Sequence, residues 1–205
     1  MSLLDTQEIR AFIAVELPDE VTSGLHRLQA ELKSAGHTFV KWVAPGGIHL
    51  TLKFLGNVSS KKVAEITRAM EEACHEGASF QLEIGGLGAF PDLKRPRVLW
   101  LGIGGDVDKL VALQQRIDAA LGPLGFAQER RPFTPHLTLA RLREETSPQC
   151  RRDFGELVIK TTFEFNHTIS VSSLSLMRSQ LLPGGAAYSR LAEVKLKSIN
   201  DIIPE

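Results

Sequence analysis

The sequence predicts an α+β fold of two pseudo-symmetric lobes, each an antiparallel sheet flanked by helices, facing each other across a central cleft. Three observations predict it. Polar–apolar alternation, strict over six residues within Ile48 to Gly56, marks half-buried strands. Between them, apolar residues recur at steps of three and four, the period of a helix with one buried face. The order of strand, helix and histidine-bearing strand then comes twice: strand starts Ile9 and Val98 lie 89 residues apart, and His49 and His136 lie 87 apart. That period is too long for a solenoid and occurs only twice, so a duplicated lobe is the better reading. The chain reads as one bilobal domain over 1–205, with pseudo-repeat halves at roughly 8–90 and 97–168 and C-terminal strands at 169–197.

Each element has its own signal. Ile9 to Leu17 is an apolar run stopped by Pro18 and reads as a buried strand. Val21, Leu25, Leu28 and Leu32 then line one helix face, with Asp19 able to cap its start and Gly36 able to end it. In Ile48–Gly56, Leu50, Leu52 and Phe54 point one way and His49, Thr51 and Lys53 the other. A second helix is expected from about Ser60 to Glu76, and a strand from Phe80 to Ile84. In the second half, Val98 to Ile103 reads as a strand. Leu110, Leu113, Ile117 and Leu121 mark a helix stopped by Gly122-Pro123. Pro135 to Arg141 repeats the alternation. A weaker helix is expected between Pro148 and Leu157, then strands from Thr161 to Phe165 and Ile169 to Met177. A turn at Pro183-Gly184-Gly185 lets Ala187 to Leu196 pair back as a hairpin.

Composition narrows the function classes. Of 205 residues, 43% are hydrophobic, enough for a core, and the formal net charge is zero. Nothing global draws this chain to a polyanion, so any nucleic-acid ligand must be met by a local basic cleft, which favours a short end over a long polymer. Cys74 and Cys150 are too few and too scattered for a disulfide framework or a cysteine zinc site. The segment Met1 to Arg10 carries Asp5 and Glu8 and lacks a signal-peptide pattern, and no apolar run is long enough to span a bilayer. The expectation is a cytoplasmic protein with no membrane role.

The chemistry centres on two identical segments, His49-Leu50-Thr51-Leu52 and His136-Leu137-Thr138-Leu139. One copy proves little, since a histidine on the outer face of a strand is common. Two copies at matching places suggest a site. In each, the histidine and threonine leave the same strand face. Near a pseudo-two-fold axis, two imidazoles and two hydroxyls would surround one small ligand. One imidazole can take a proton from an attacking water while the other protonates a departing oxygen, and hydroxyls can donate to phosphate oxygens. Neither segment holds a second ligand at metal spacing, so no metal and no cofactor is expected. There is no G-x-S-x-G elbow and no phosphate loop ending in Lys-Ser/Thr, and Gly102, Gly104 and Gly105 read as a simple turn.

The segment from Lys41-Trp42-Val43 through Pro45 to His49-Leu50-Thr51-Leu52-Lys53-Phe54-Leu55-Gly56, with Arg131-Pro132-Phe133-Thr134-Pro135-His136-Leu137-Thr138-Leu139-Ala140-Arg141 downstream, resembles the bacterial and archaeal RNA 2′,3′-cyclic phosphodiesterases. This is the 2′-5′ RNA ligase family of the two-histidine phosphoesterases. Arg10-Ala11-Phe12-Ile13-Ala14 and the Tyr188 to Leu196 segment resemble it as well, so the likeness covers nearly the whole chain. The resemblance implies the family's strand order and a metal-independent opening of an RNA 2′,3′-cyclic phosphate to a 2′-phosphate. It also implies a reverse 2′-5′ joining of RNA ends such as tRNA halves. By motif position it makes His49 the proton donor and His136 the proton acceptor.

The remaining candidates have competing readings. Arg141 can contact phosphate, although regular parity puts it opposite His136 and Thr138 unless a bulge turns it inward. Arg131, with Arg130, can line the cleft rim for the RNA backbone or stay solvated. Phe12 and Trp42 can stack on a terminal base or belong to the core. Lys53 shares the His49 face and can meet phosphate or water. The candidate substrate-binding set is therefore Thr51, Thr138, Arg141, Arg131 and Phe12. No obligate protein partner is expected. Action on small cyclic nucleotides or 2′-5′ oligoadenylate, and a non-catalytic RNA-end binding module, are the alternatives.

Overall fold

A computed structural model describes residues 7–161, 166–182 and 185–198. Nine strands, four α-helices and three short 3-10 turns follow one another among them. Strand β1 (Glu8–Val15) leads into helix α1 (Asp19–Lys33), then β2 (Val40–Trp42), a 3-10 turn at Pro45–Gly47, and β3 (Leu50–Ser59). A turn at Ser60–Lys62 opens α2 (Val63–His75), followed by β4 (Phe80–Phe90), β5 (Val98–Gly105) and α3 (Val107–Leu121). The third turn (Gly122–Leu124) precedes β6 (His136–Leu142), α4 (Pro148–Lys160), β7 (His167–Val171), β8 (Ser173–Leu182) and β9 (Gly185–Lys195).

The strands run in the order β7-β4-β5-β6-β3-β1-β8-β9, with β2 added beside β6. Every strand pair is antiparallel. The two spatial lobes therefore draw on both ends of the chain. One holds β2 and β4 to β7, the other β1, β3, β8 and β9, and the seam between them is β3 against β6. Helices cross over in the same way. Buried Gln29 of α1 donates to the carbonyls of Val43 (2.8 Å) and Leu139 (3.0 Å), so α1 backs β2 and β6. Helices α2 and α3 pack on each other and back β9 and β3. The apolar faces read from the periodicity are the buried ones: Val21, Leu25, Leu28 and Leu32 on α1, and Leu110, Leu113, Ile117 and Leu121 on α3, none more than 3% exposed.

Several elements differ from expectation. Asp19 does not cap α1; the cap position is Pro18, without a side-chain hydrogen bond, and Asp19 sits in the first turn, where its charge suits the helix dipole. Strand β4 does not stop at Ile84 but runs to Phe90. Gly86 takes a positive φ of 72° and forms a one-residue bulge, so the ladder continues through a glycine pair that reads locally as a break. The run at 169–177 is split between β7 and β8. Helix α4 runs to Lys160, with the Ser147 hydroxyl accepting from Cys150 N–H at its start. Of the strand expected from Thr161 to Phe165, Thr161 caps α4 and residues 162–165 lie outside the described residues, as do the Pro183-Gly184 part of the last turn and residues 1–6.

Candidate active site

Leu50 in β3 and Leu137 in β6 stand directly opposite each other, and both are fully buried. Side chains alternate along a strand, so their neighbours His49, Thr51, His136 and Thr138 leave by the other face. The pairing is antiparallel. One step either way therefore sets Thr138 across from His49 and Thr51 across from His136. All four are half-buried. The two threonine hydroxyls make no hydrogen bond within the described protein.

The alternation then fails at the same point in both strands. In β3 the register passes from Ala14–Thr51 to Ile13–Lys53 and skips Leu52. In β6 it passes from Trp100–Thr138 to Leu99–Ala140 and skips Leu139. Each skipped residue is a bulge, and it reverses the face of the residues beyond it. Past the first bulge, Lys53 turns away from the site into the core. It ion-pairs there with Asp118 of α3 and donates to the Ala127 carbonyl at 2.5 Å. Phe54 takes its place on the His49 side, 68% exposed and with its ring 6.2 Å from that of Phe12. Past the second bulge, Ala140 is buried and Arg141 is exposed on the His136–Thr138 face. Regular parity would have given the reverse for both Lys53 and Arg141. The freed Leu139 carbonyl is caught by Gln29 and by Val43 N–H at 2.9 Å, which holds the bulge in place.

Each imidazole sits in an aromatic box. Phe12 stacks on His49 with centroids 4.4 Å apart and planes inclined by 24°, and Tyr188 meets the same ring edge-on at 5.1 Å. Gly47 admits Tyr188, since a Cβ there would lie 2.9 Å from the phenol ring. Phe90 meets His136 edge-on at 4.9 Å, with Trp100 at 6.5 Å. The indole lies over Gly88, where a Cβ would come within 2.2 Å of it. His136 Nδ1 lies 2.8 Å from the Thr134 carbonyl, and the Gly47 carbonyl, likewise two residues back, favours the charged form of His49. One nitrogen of the His136 ring is thereby committed and the other is left for a ligand.

Burial pushes the His49 pKa down, and the Gly47 carbonyl and the nearby Glu16 carboxylate oppose this without cancelling it. Among the described residues, no three His, Cys, Asp or Glu side chains are grouped to hold a metal ion.

Residues 17–181 match the model of the 2′-5′ RNA ligase superfamily. The chain belongs to this superfamily.

Among its superfamily relatives is an RNA 2′,3′-cyclic phosphodiesterase of Methanothermobacter thermautotrophicus. It is 33% identical over 189 residues, covering 92% of this chain and 100% of the relative. A protein of the same name from Aeropyrum pernix is 35% identical over 178 residues, covering 84% and 96%. Among solved structures, E. coli LigT complexed with 3′-AMP superposes with a TM-score of 0.72 at 27% identity, over 93% of this chain and 99% of that one.

Within this superfamily fold the predicted site residues separate into two groups. His49, His136, Thr51, Thr138 and Arg141 share one face. Arg131 is exposed on the loop leading into β6, its N–H donating to the Glu129 carboxylate at 3.2 Å. Phe12 lies on the site side but is only 3% exposed, its ring covered by His49. Sequence reasoning missed Glu16, Tyr188, Phe90, Trp100 and Phe54. Tyr188 and Phe90 reach the histidines from strands remote in sequence, and no local pattern marks them. Phe54 was assigned to the wrong face because the bulge leaves no trace in the alternation.

Proposed function

We propose that this protein hydrolyses the 2′,3′-cyclic phosphate at an RNA 3′ end to a 2′-phosphate, with His49 as proton donor and His136 as proton acceptor. The observation that carries the reading is the Leu50–Leu137 register, which sets two histidines and two free hydroxyls around one point on one face. The names of the relatives supply the substrate class. Water attacks phosphorus and gives its proton to His136; the bond from phosphorus to O3′ breaks, and O3′ takes the proton of His49. The Thr51 and Thr138 hydroxyls and the Arg141 guanidinium meet the non-bridging oxygens, where charge develops. Arg131 meets the RNA backbone at the rim, and Phe12 with the exposed Phe54 forms the edge on which the terminal base rests. An RNA 5′-hydroxyl in place of water would give a 2′-5′ linkage by the same proton transfers. tRNA halves are one such substrate, met in the cytoplasm without an obligate protein partner.

The test is incubation with a 2′,3′-cyclic-ended oligonucleotide in excess chelator, with the product identified. Appearance of the 2′-phosphate is expected. No turnover, or turnover only with added metal, would overturn the reading. A faster rate on a cyclic mononucleotide than on the oligonucleotide would move the substrate class to small nucleotides. His49→Ala and His136→Ala should each lose about 10²-fold or more in rate; two active variants would remove the assignment.

A further inference from the structure

The two histidine boxes differ at one ladder position that bears charge. Trp100 and Gly102 of β5 pair with Thr138 and His136 of β6. On the other lobe Ala14 and Val15 of β1 pair with Thr51 and Leu50 of β3, so the next step of that ladder sets Glu16 across from His49. Residues directly opposite in an antiparallel pair project from the same face. Glu16 and Gly102 thus hold matching ladder positions: one histidine has a carboxylate across from it and the other has glycine there. A Cβ at 102 would lie 3.0 Å from the Gly85 carbonyl, so a counterpart side chain there would press on the neighbouring strand.

Glu16 is also held in place. Arg190 Nε donates to its Oε1 at 2.7 Å, and the Ser175 hydroxyl donates to the same oxygen. Arg190 Nη1 in turn donates to Glu193 at 3.2 Å, and Ser173 donates to Glu193 at 2.7 Å. Two carboxylates share one guanidinium, so the cluster carries one net negative charge beside His49.

We propose that Glu16 is a positioning residue for His49: its carboxylate, clamped by Arg190 and Ser175, holds the imidazole in its proton-giving form, and glycine in the matching place opposite His136 is what divides the two histidines into donor and acceptor. This rests on the acid–base reading above and supplies a physical cause for the division of roles. Burial pulls His49 toward its neutral form, and the Gly47 carbonyl and the Glu16 carboxylate oppose that without cancelling it. Glu16 itself stays ionised. Burial raises its carboxyl, but the bonds from Arg190 and Ser175 and the charges of Arg190 and His49 outweigh it. The titratable groups set against His49 are Glu16, just past β1, and Tyr188 on β9, with Arg190 of β9 bonded to Glu16. The 3-10 turn at Pro45–Gly47 carries no charge, and Lys53 on β3 is turned into the core.

The experiment compares wild type, Glu16→Gln and Glu16→Asp. It reads the NMR titration of the His49 ring and the pH profile of kcat/KM on a cyclic-ended oligonucleotide. In Glu16→Gln the His49 ring should titrate at lower pH. The value of kcat/KM should fall severalfold on the alkaline side, where it follows the fraction of protonated donor, and be unchanged on the acid side, which follows the acceptor. Aspartate should restore part of the loss. An unmoved His49 titration, equal losses on both sides, or full activity with Gln would overturn the proposal, equal losses being the mark of a merely structural role. Should Glu16→Gln not fold, the double variant Glu16→Ala/Arg190→Met carries the same expected outcomes. A wild type that does not open cyclic phosphate would refute the functional reading alone, since the titration still reads whether Glu16 holds the His49 proton.

Discussion

Leu50 and Leu137 oppose each other where the two lobes meet, and both are sealed from solvent. The pair lies under the point about which His49, Thr51, His136 and Thr138 are arranged. Truncating either leucine to alanine should cost about 2–5 kcal/mol of stability, since the cavity lies in a fully packed core. It should also lower kcat well beyond the effect of an equally destabilising change elsewhere, such as Leu28→Ala, because the strands carrying the histidines would shift relative to each other. Denaturant unfolding and turnover under fully folded conditions check both parts; equal kcat in the two variants would detach the seam from the site.

Lys53 and Asp118 form a buried pair, and Asp118 also accepts from Glu129 N–H at 3.0 Å. Lys53 thereby ties the loop that leads into β6 to the strand that carries His49. Lys53→Met should destabilise the protein by about 3–5 kcal/mol by leaving Asp118 buried and unpaired. Lys53→Met/Asp118→Leu should recover most of that, as measured by chemical denaturation.

Arg141 reaches the site face only because Leu139 is bulged. Arg141→Ala should lower kcat/KM by about 10²-fold with an unchanged melting temperature, and Arg141→Lys should restore only part, since a point charge cannot replace a bidentate fork. Steady-state kinetics with the cyclic-ended oligonucleotide reads this. Activity equal to wild type would leave Arg141 as a solvated surface residue.

Gly88 leaves room for the Trp100 indole beside His136. Gly88→Ala should displace the ring, change the tryptophan emission and cost about 1–3 kcal/mol, the usual cost of overpacking. Unchanged fluorescence and stability would show that the indole has room to spare.

The depressed His49 pKa has a consequence for stability. The folded protein binds its proton less readily than the unfolded chain, so unfolding takes up a proton between the folded value and the ordinary imidazole value. Stability is then full above the ordinary value and is lost as pH falls through that window. His49→Gln should flatten this part of the stability–pH curve, measured by denaturation across a pH series. An identical slope in the variant would assign the loss to other groups.

Much of this was legible in the residues. The helix faces of α1 and α3 follow from periodicity because burial of a helical stripe needs no distant partner to define it. The duplicated His-x-Thr motif is legible because parity over three residues survives in any strand. Parity over five does not: Lys53 and Arg141 both lie beyond a bulge, and a bulge depends on the partner strand and, at Leu139, on Gln29 of a helix more than one hundred residues away. For the same reason Tyr188 and Phe90 could not be matched to their histidines, and the long β4 was cut at its glycines.

The sequence by itself determined the α+β class and the two histidine–threonine pairs, both of which rest on local spacing. Only the tertiary structure decided that the lobes exchange strands and helices, that Arg141 and Phe54 face the site while Lys53 leaves it, and that His49 has an acidic neighbour where His136 has glycine. These depend on ladder register, which couples residues far apart in the chain through backbone hydrogen bonds and packing, and no pattern along one strand records its neighbour's register.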